Sequence, residues 1–311
     1  MPAEGLTGRI LLTGGTGFIG SPLLRRLVGL GAEVVVLGRH APPASPGVSF
    51  LPADLAEPDT IRRHRAALAP VRAVAHLGAA ILYSSDTAGD EAASAVRVNV
   101  EGTAHLVAAL PPRLALFCFA SSLDVYGPPV ASPIDEDHPC RPATYYGMSK
   151  HATEEMLAVY TRRSGTPVTV LRLSQAYGPG DTSAKVLPSF VRACLRGEAP
   201  ELRGDGSDTR DWVFVEDVVD AFLLALARRV PGTFNIAGGV GSTVGEALAI
   251  VRRLTGIAGE PRRLPAAIPP THVVLDVARA RAQLGYSPRI GLEEGLRRTV
   301  GWFRDAEPAP A

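Results

Sequence analysis

Lysine is nearly absent. Of 32 basic residues only Lys150 and Lys185 are lysines, and arginine supplies every other positive charge. Where the default cation is a planar guanidinium, a retained lysine is a candidate for work that needs a compact ammonium. An excess of either charge is missing as well. The 32 basic and 31 acidic side chains leave a formal net charge of +1, so no global field recruits nucleic acid or an anionic membrane. No apolar run approaches the roughly 18 residues needed to cross a bilayer. Cysteine is scarce: Cys118, Cys140 and Cys194 are odd in number and lack CxxC spacing. That excludes a disulfide frame or a zinc site and fits the reducing cytoplasm; no metal is expected. The opening MPAEGLTGRI has no charged stretch leading into an apolar one, so no secretory signal is expected. What is present, 46% hydrophobic and 20% charged over 311 residues, suits a globular chain of one large domain or two modest ones.

Short β-branched runs alternate with helical patterns in the first half. Residues 9–13 (RILLT), 33–37 (EVVVL), 48–51, 71–76, 114–119 (LALFCF) and 167–173 (PVTVLRL) read as strands. Residues 18–30, 91–110 and 144–163 carry helical spacing. Near-continuous apolar strands separated by helices predict an α/β fold, a doubly wound parallel sheet covered on both faces. Beyond residue 175 glycine and proline punctuate the chain (YGPGD, RGDGSD, NIAGGVG) and short strands mix with helices. Residues 176–306 are therefore expected to form a smaller α/β substrate-binding lobe, with a segment of about 210–230 returning to the first domain, 1–175. The tail 307–311 (EPAPA) is expected to be disordered.

Strand 9–13 runs into Gly14-Gly15-Thr16-Gly17-Phe18-Ile19-Gly20. Glycines at 14, 17 and 20 permit a tight turn and a close approach to a pyrophosphate at the positive end of the next helix. About 0.3 such spacings arise by chance in so glycine-rich a chain, so context decides, and a strand before with an apolar helix after supplies it. The expected fold is thus Rossmann-type. The second strand ends in Leu37-Gly38-Arg39-His40, without the carboxylate that would bind the ribose 2′-hydroxyl of NAD. Gly38 removes a charge that repels a 2′-phosphate and Arg39 is placed to pair with one, which favours NADP(H), with NAD the alternative. The competing account of Arg39 is a solvated arginine. Asp54-Leu55 follows the third strand, where a carboxylate can accept from the adenine amino group or simply cap a helix.

Tyr146 and Lys150 are spaced YxxxK within a predicted helix and share a face. With two lysines and seven tyrosines this spacing has a chance expectation of only about 0.05. A nearby cation stabilises phenolate and makes the phenol usable for proton transfer at neutral pH. Upstream, strand 114–119 ends in Ala120-Ser121-Ser122-Leu123-Asp124, which puts hydroxyls where ligands bind in doubly wound sheets. Ser121 suits a turn as well as a ligand contact.

TGGTGFIG, HLGAA (76–80), NVEGT (99–103), SSLDVYG (121–127), YYGMSK (145–150), AYGPG (176–180), the stretch 204–226 and the closing 280–303 occur in order. Together they resemble the extended short-chain dehydrogenases/reductases, specifically the NAD-dependent epimerase/dehydratase family acting on nucleotide sugars, along essentially the whole chain. The resemblance implies Ser122, Tyr146 and Lys150 as the catalytic triad. It implies a cofactor site of Gly14, Gly17, Phe18, Ile19, Gly20, Arg39, Asp54, Leu55, Ala79 and Asn99, with Tyr146 and Lys150 at the nicotinamide ribose. It further implies a nucleotide-sugar substrate met by Tyr83, Ser122, Asp124, Gln175, Lys185 and Arg210, and a homodimer paired through helices 91–110 and 144–163. His76 reads as a structural residue at a strand end.

Departures from the family's patterns narrow the reaction. The dTDP-glucose 4,6-dehydratases carry Asp-Glu after the catalytic Ser/Thr; here Leu123 and Asp124 stand there, and leucine cannot protonate a leaving hydroxyl. The family's asparagine before YGPG is Gln175, and 264–271 (LPAAIPPT) lacks the second phosphate-binding arginine of UDP-galactose 4-epimerases. The sequence therefore points first to NADPH-dependent reduction of a nucleotide-activated 4-keto-6-deoxy sugar and second to an NAD-dependent 4-epimerase. A redox sensor or scaffold, which would not need the Tyr–Lys pair, and a reductase of non-nucleotide ketones are the remaining alternatives.

Overall fold

Strands apolar at nearly every position must be buried on both faces, and the computed structural model, which describes residues 6, 8–81, 88–266 and 271–306, places them so. In chain order the first half runs β1 (Arg9–Thr13), α1 (Gly20–Gly29), β2 (Val34–Gly38), β3 (Val48–Pro52), α2 (Pro58–Arg62), α3 (Arg65–Leu68) and β4 (Val71–His76). It continues through α4 (Ala88–Ser94), a π-helical stretch (Ala95–Glu101), α5 (Gly102–Ala109), β5 (Leu116–Ser122), α6 (Tyr145–Ser164) and β6 (Val168–Leu173). The remainder is β7 (Gln175–Tyr177), α7 (Val186–Leu195), β8 (Glu201–Arg203), β9 (Thr209–Phe214), α8 (Val215–Arg228) and β10 (Gly232–Ile236), then β11 (Gly241–Thr243), α9 (Val244–Thr255), β12 (Arg262–Leu264), α10 (Ala278–Leu284) and α11 (Leu292–Ala306). The tail 307–311 lies outside the described residues.

Seven strands form one sheet, ordered β10-β6-β5-β4-β1-β2-β3, with all neighbours parallel. Alternation along each strand divides the core in two. Ile10, Leu12, Val34 and Val36 pack with Leu23 and Leu27 of α1 and Phe222 of α8, while Leu11, Val35 and Val74 meet Leu106 of α5 and Leu157 of α6. The chain winds outward from β1 to β3, then crosses back to β4 and winds the other way. That reversal opens a crevice at the carboxyl ends of β1 and β4, where ligands bind in such sheets.

Two sequence expectations are revised. In the segment of about 210–230 expected to return, the helix α8 packs on the main sheet, but β9 stays in a separate three-stranded sheet, β11-β9-β7, and the strand that joins the main sheet is β10, which pairs with β6. Helix 91–110 is interrupted over Ala95–Glu101, where the backbone widens to π geometry and side-chain periodicity gives no notice of it. The C-terminal elements have their own core, in which Phe190, Trp212, Phe214, Leu248, Leu296 and Phe303 pack α7, α9 and α11 together.

His76, at the end of β4, is a joint between layers. Its Nδ1 lies 2.6 Å from Thr13 Oγ1 of β1 and its Nε2 2.8 Å from Thr103 Oγ1 of α5, with the ring stacked on Phe119. Burial, and then the Lys150 charge, pull its pKa from 6.5 down to about 3. The unfolded chain therefore binds a proton that the folded chain refuses, and stability falls as pH drops from 6.5 toward 3. Between pH 7 and pH 4 the wild type should lose about 3 kcal/mol more than His76→Gln, read by denaturant titration at each pH. Parallel losses would remove His76 from the account.

Candidate active site

A cavity of about 720 Å³ opens at the crevice and runs from Gly38 and Arg39 at one end to Tyr146 and Lys150 at the other. Its floor is the glycine loop. Gly17 donates its N–H to the Gly14 carbonyl at 3.0 Å, and a Cβ at Gly20 would stand 2.0 Å from that same oxygen, so only glycine lets α1 begin this close to the turn. The ten residues of α1 present their positive end to the cavity, a setting that favours a pyrophosphate. Phe18, Ile19, Leu55 and Ala79 add apolar wall. The residues fit a dinucleotide: phosphate cradle in the middle, a slot at the β2–β3 end, a proton-handling pair at the other.

At the β2–β3 end Arg39 and His40 are exposed and line the cavity with Asp54. Asp54 does not cap a helix. Its Oδ1 accepts the Ala56 N–H at 2.9 Å in a short turn, and the cap position of α2 belongs to Glu57.

The opposite end is built by α6. Thr144 starts the helix by accepting the Gly147 N–H at 3.0 Å, and Gly165 ends it in the left-handed conformation. A Cβ at Gly147 would lie 2.4 Å from the Asp124 carbonyl oxygen. This close approach is what brings Tyr146 beside the short 3₁₀ turn Leu123–Val125 at the end of β5. Tyr146 is half-buried on the cavity wall. One turn on, Lys150 is fully buried, its Nζ donating to the Ala120 carbonyl at 2.9 Å and lying 4.8 Å and 5.6 Å from the Phe119 and Tyr146 ring centroids. Burial lowers the Lys150 pKa from 10.5 to about 7, against a smaller upward pull from Glu154.

The two serines part company. Ser121 touches the cavity, but its hydroxyl donates to Glu154, which also holds Arg172 in a buried, two-pronged ion pair. Ser122 does not line the cavity. Its Oγ donates to Asp124 Oδ2 at 2.9 Å and accepts the Asp124 N–H. Asn99, on the π-helical stretch, does not line the cavity either: its amide bonds both backbone groups of Ala80 and donates to Ser149 Oγ at 2.9 Å, tying the β4 loop to α6.

Lys185, the residue capping α7, lines the cavity mouth. Arg210 and Gln175 do not; Arg210 is held on β9 by Thr271 Oγ1 at 2.7 Å and Asp208, and Gln175 opens β7. Tyr83 falls outside the described residues, as do 267–270 of the 264–271 stretch. The sequence reading missed Asp181, which lines the cavity one residue beyond the AYGPG motif, and Glu154, whose i+4 spacing from Lys150 was a usable signal.

A glycine loop at the switch point of a parallel sheet, facing a Tyr–Lys pair on one helix, is the architecture of the short-chain dehydrogenases/reductases. Residues 10–237 match the NAD dependent epimerase/dehydratase family, and the chain belongs to it. It is 36% identical to the UDP-glucose 4-epimerase of Mycolicibacterium smegmatis, over 96% of this chain and 99% of that protein. It is 31% identical to a dTDP-glucose 4,6-dehydratase of Streptomyces niveus, over 96% and 93% of the respective chains. Thermus thermophilus UDP-glucose 4-epimerase, solved in complex with NAD, shares the fold at a TM-score of 0.84 and 31% identity, covering 96% of this chain and 99% of that one. Among the described residues no helix is long and apolar enough to cross a membrane.

Removing the phenolic oxygen while keeping the ring should separate chemistry from binding. Tyr146→Phe is expected to lower turnover by about 10²–10⁴-fold with dinucleotide retention unchanged, whereas Gly20→Ala should lose the dinucleotide outright. Both are read by steady-state assay and by cofactor content after denaturation.

Proposed function

We propose that the chain is an NAD-dependent 4-epimerase of a nucleotide-activated hexose. The observation that carries this reading is the Tyr146–Lys150 pair on the wall of the same cavity as the glycine loop. The near full-length likeness to the Mycolicibacterium epimerase and the NAD in its Thermus counterpart support the direction. The sequence alone favoured a reductase using NADPH; the relatives move the epimerase ahead of it.

Bound NAD supplies reversible hydride exchange at the sugar C4. Everything else is the work of side chains and backbone. Gly14, Gly17 and Gly20 with the α1 terminus hold the pyrophosphate, and Asp54 takes the adenine amino group. Tyr146 Oη, as phenolate, accepts the proton of the C4 hydroxyl and later returns it to the same oxygen, whichever face of the sugar is then presented. The Lys150 ammonium keeps that phenolate accessible near neutral pH, held in place by the Ala120 carbonyl. Ser122, off the cavity wall with its hydroxyl proton committed to Asp124, fixes the turn after β5 beside Tyr146. Lys185, on the cavity lining, meets the diphosphate.

One observation favours a second reading. The β2 end offers Gly38 and the exposed Arg39 to the cavity with no carboxylate at that position, a setting that accommodates the 2′-phosphate of NADPH and hence a 4-ketoreductase. Leu123 disfavours dehydration in either case.

The deciding experiment takes the protein as purified. Denaturation should release NAD, and incubation with UDP-glucose or dTDP-glucose should yield the C4 epimer with no added cofactor, followed by chromatography or NMR. NADPH consumption with a nucleotide 4-keto-6-deoxy sugar, and no interconversion of hexoses, would hand the site to the reductase.

A further inference from the structure

Asp181 follows the Gly178-Pro179-Gly180 turn that leaves β7, and it lines the cavity although only 3% of its surface is exposed. One carboxylate oxygen, Oδ1, accepts the Ser183 N–H at 3.1 Å. The other, Oδ2, is buried with no hydrogen-bond partner. A carboxylate oxygen shut away from water without a donor is costly, so its retention beside a ligand cavity calls for a donor that arrives with the ligand.

Its place in the fold identifies which ligand. The slot at Arg39 and Asp54 lies beyond β1, whereas Asp181 follows β7, which the chain enters directly from β6, and Tyr146 and Lys150 lie on the helix leading into β6. At this end the charged groups are few. Asp124, on the turn after β5, stands off the cavity lining and accepts the Ser122 hydroxyl. Lys150 is committed to the Ala120 carbonyl behind Tyr146, and Lys185 stands at the mouth, on the cap of α7, where a diphosphate fits. The charged lining that a hexose reaching Tyr146 meets is Lys150, Lys185 and Asp181, of which Asp181 alone is a carboxylate. A hydroxyl can donate to Asp181, while a carboxylate on the sugar would be pressed against a like charge in a poorly solvated site.

We infer that Asp181 is a specificity-determining residue: its unpartnered carboxylate oxygen takes a hydroxyl of a neutral hexose and rejects a hexuronate. The inference rests on the reading that a nucleotide-linked sugar occupies the cavity, and it concerns binding, not turnover.

Calorimetry on the protein as purified, with UDP-glucose and UDP-glucuronic acid as probes, tests it alongside an assay for C4 epimers. The wild type should bind UDP-glucose at least ten-fold more tightly than UDP-glucuronic acid. Asp181→Asn should compress that ratio about ten-fold, chiefly through a gain for the uronate, with dinucleotide content unchanged. Asp181→Ser serves the same comparison if the asparagine variant does not accumulate. Equal wild-type affinities, binding of neither sugar, or a ratio untouched by the substitution overturns the inference. So does a variant that sheds dinucleotide while keeping its sugar preference, because the missing donor would then belong to the nicotinamide amide. Selective binding of UDP-glucose without any C4 exchange supports the role of Asp181 while sinking the epimerase reading.

Discussion

The burial of the Lys150 ammonium is the constraint on which the Tyr146 end of the cavity depends. A buried cation needs acceptors, and Lys150 has the Ala120 carbonyl together with the faces of Phe119 and Tyr146. Because that carbonyl is the last stretch of β5 before the serines, the bond fastens α6 to the strand end and sets the position of Tyr146 relative to it. A guanidinium is too broad and too rigid for a slot closed by a single carbonyl and two rings. That gives a physical reason for a lysine at this position in a chain that otherwise uses arginine almost throughout.

A second buried charge braces the first. Glu154 lies one turn beyond Lys150 and is shared by Ser121 and Arg172, so α6, β5 and β6 meet at one carboxylate. Arg172 in turn donates to the Glu136 carbonyl and stacks over Tyr126, whose hydroxyl donates to Asn235 on β10. A fully partnered network of this kind adds less to stability than to geometric definition, since any single loss leaves a charge stranded. Its outcome is that Ser121 is immobilised as structure and Ser122, one residue on, presents to Asp124.

The sheet was legible because its strands are buried on both faces and so spell nearly unbroken apolar runs; RILLT, EVVVL and PVTVLRL need no tertiary knowledge. The glycine loop and the Tyr–Lys pair were equally plain, since each is a local spacing with a local physical reason. What depends on distant partners was not. The strands β7 and β11 are three residues long and exist through pairing with β9, and GTFNI of β10 is a strand only because β6 offers an edge. The π-helical stretch leaves no trace in side-chain periodicity. Asp54 looked equally like a cap and a ligand contact until Glu57 proved to hold the cap position. Arg210 and Gln175 match family positions in sequence but stand off the cavity wall in this conformation. Asp181 was invisible because burial of a lone carboxylate after a glycine-rich turn is a property of the packed molecule.

The chain lays its seventh strand only after it has already built β7, α7 and β9 of the C-terminal part. Without β10, the backbone of β6 would be a bare, unprotected margin inviting adhesion to other chains. The main sheet is thus unfinished until the polypeptide has gone out and come back. The two parts share a border: the outer edge of the main sheet is closed by a strand that lies beyond β9 in the sequence.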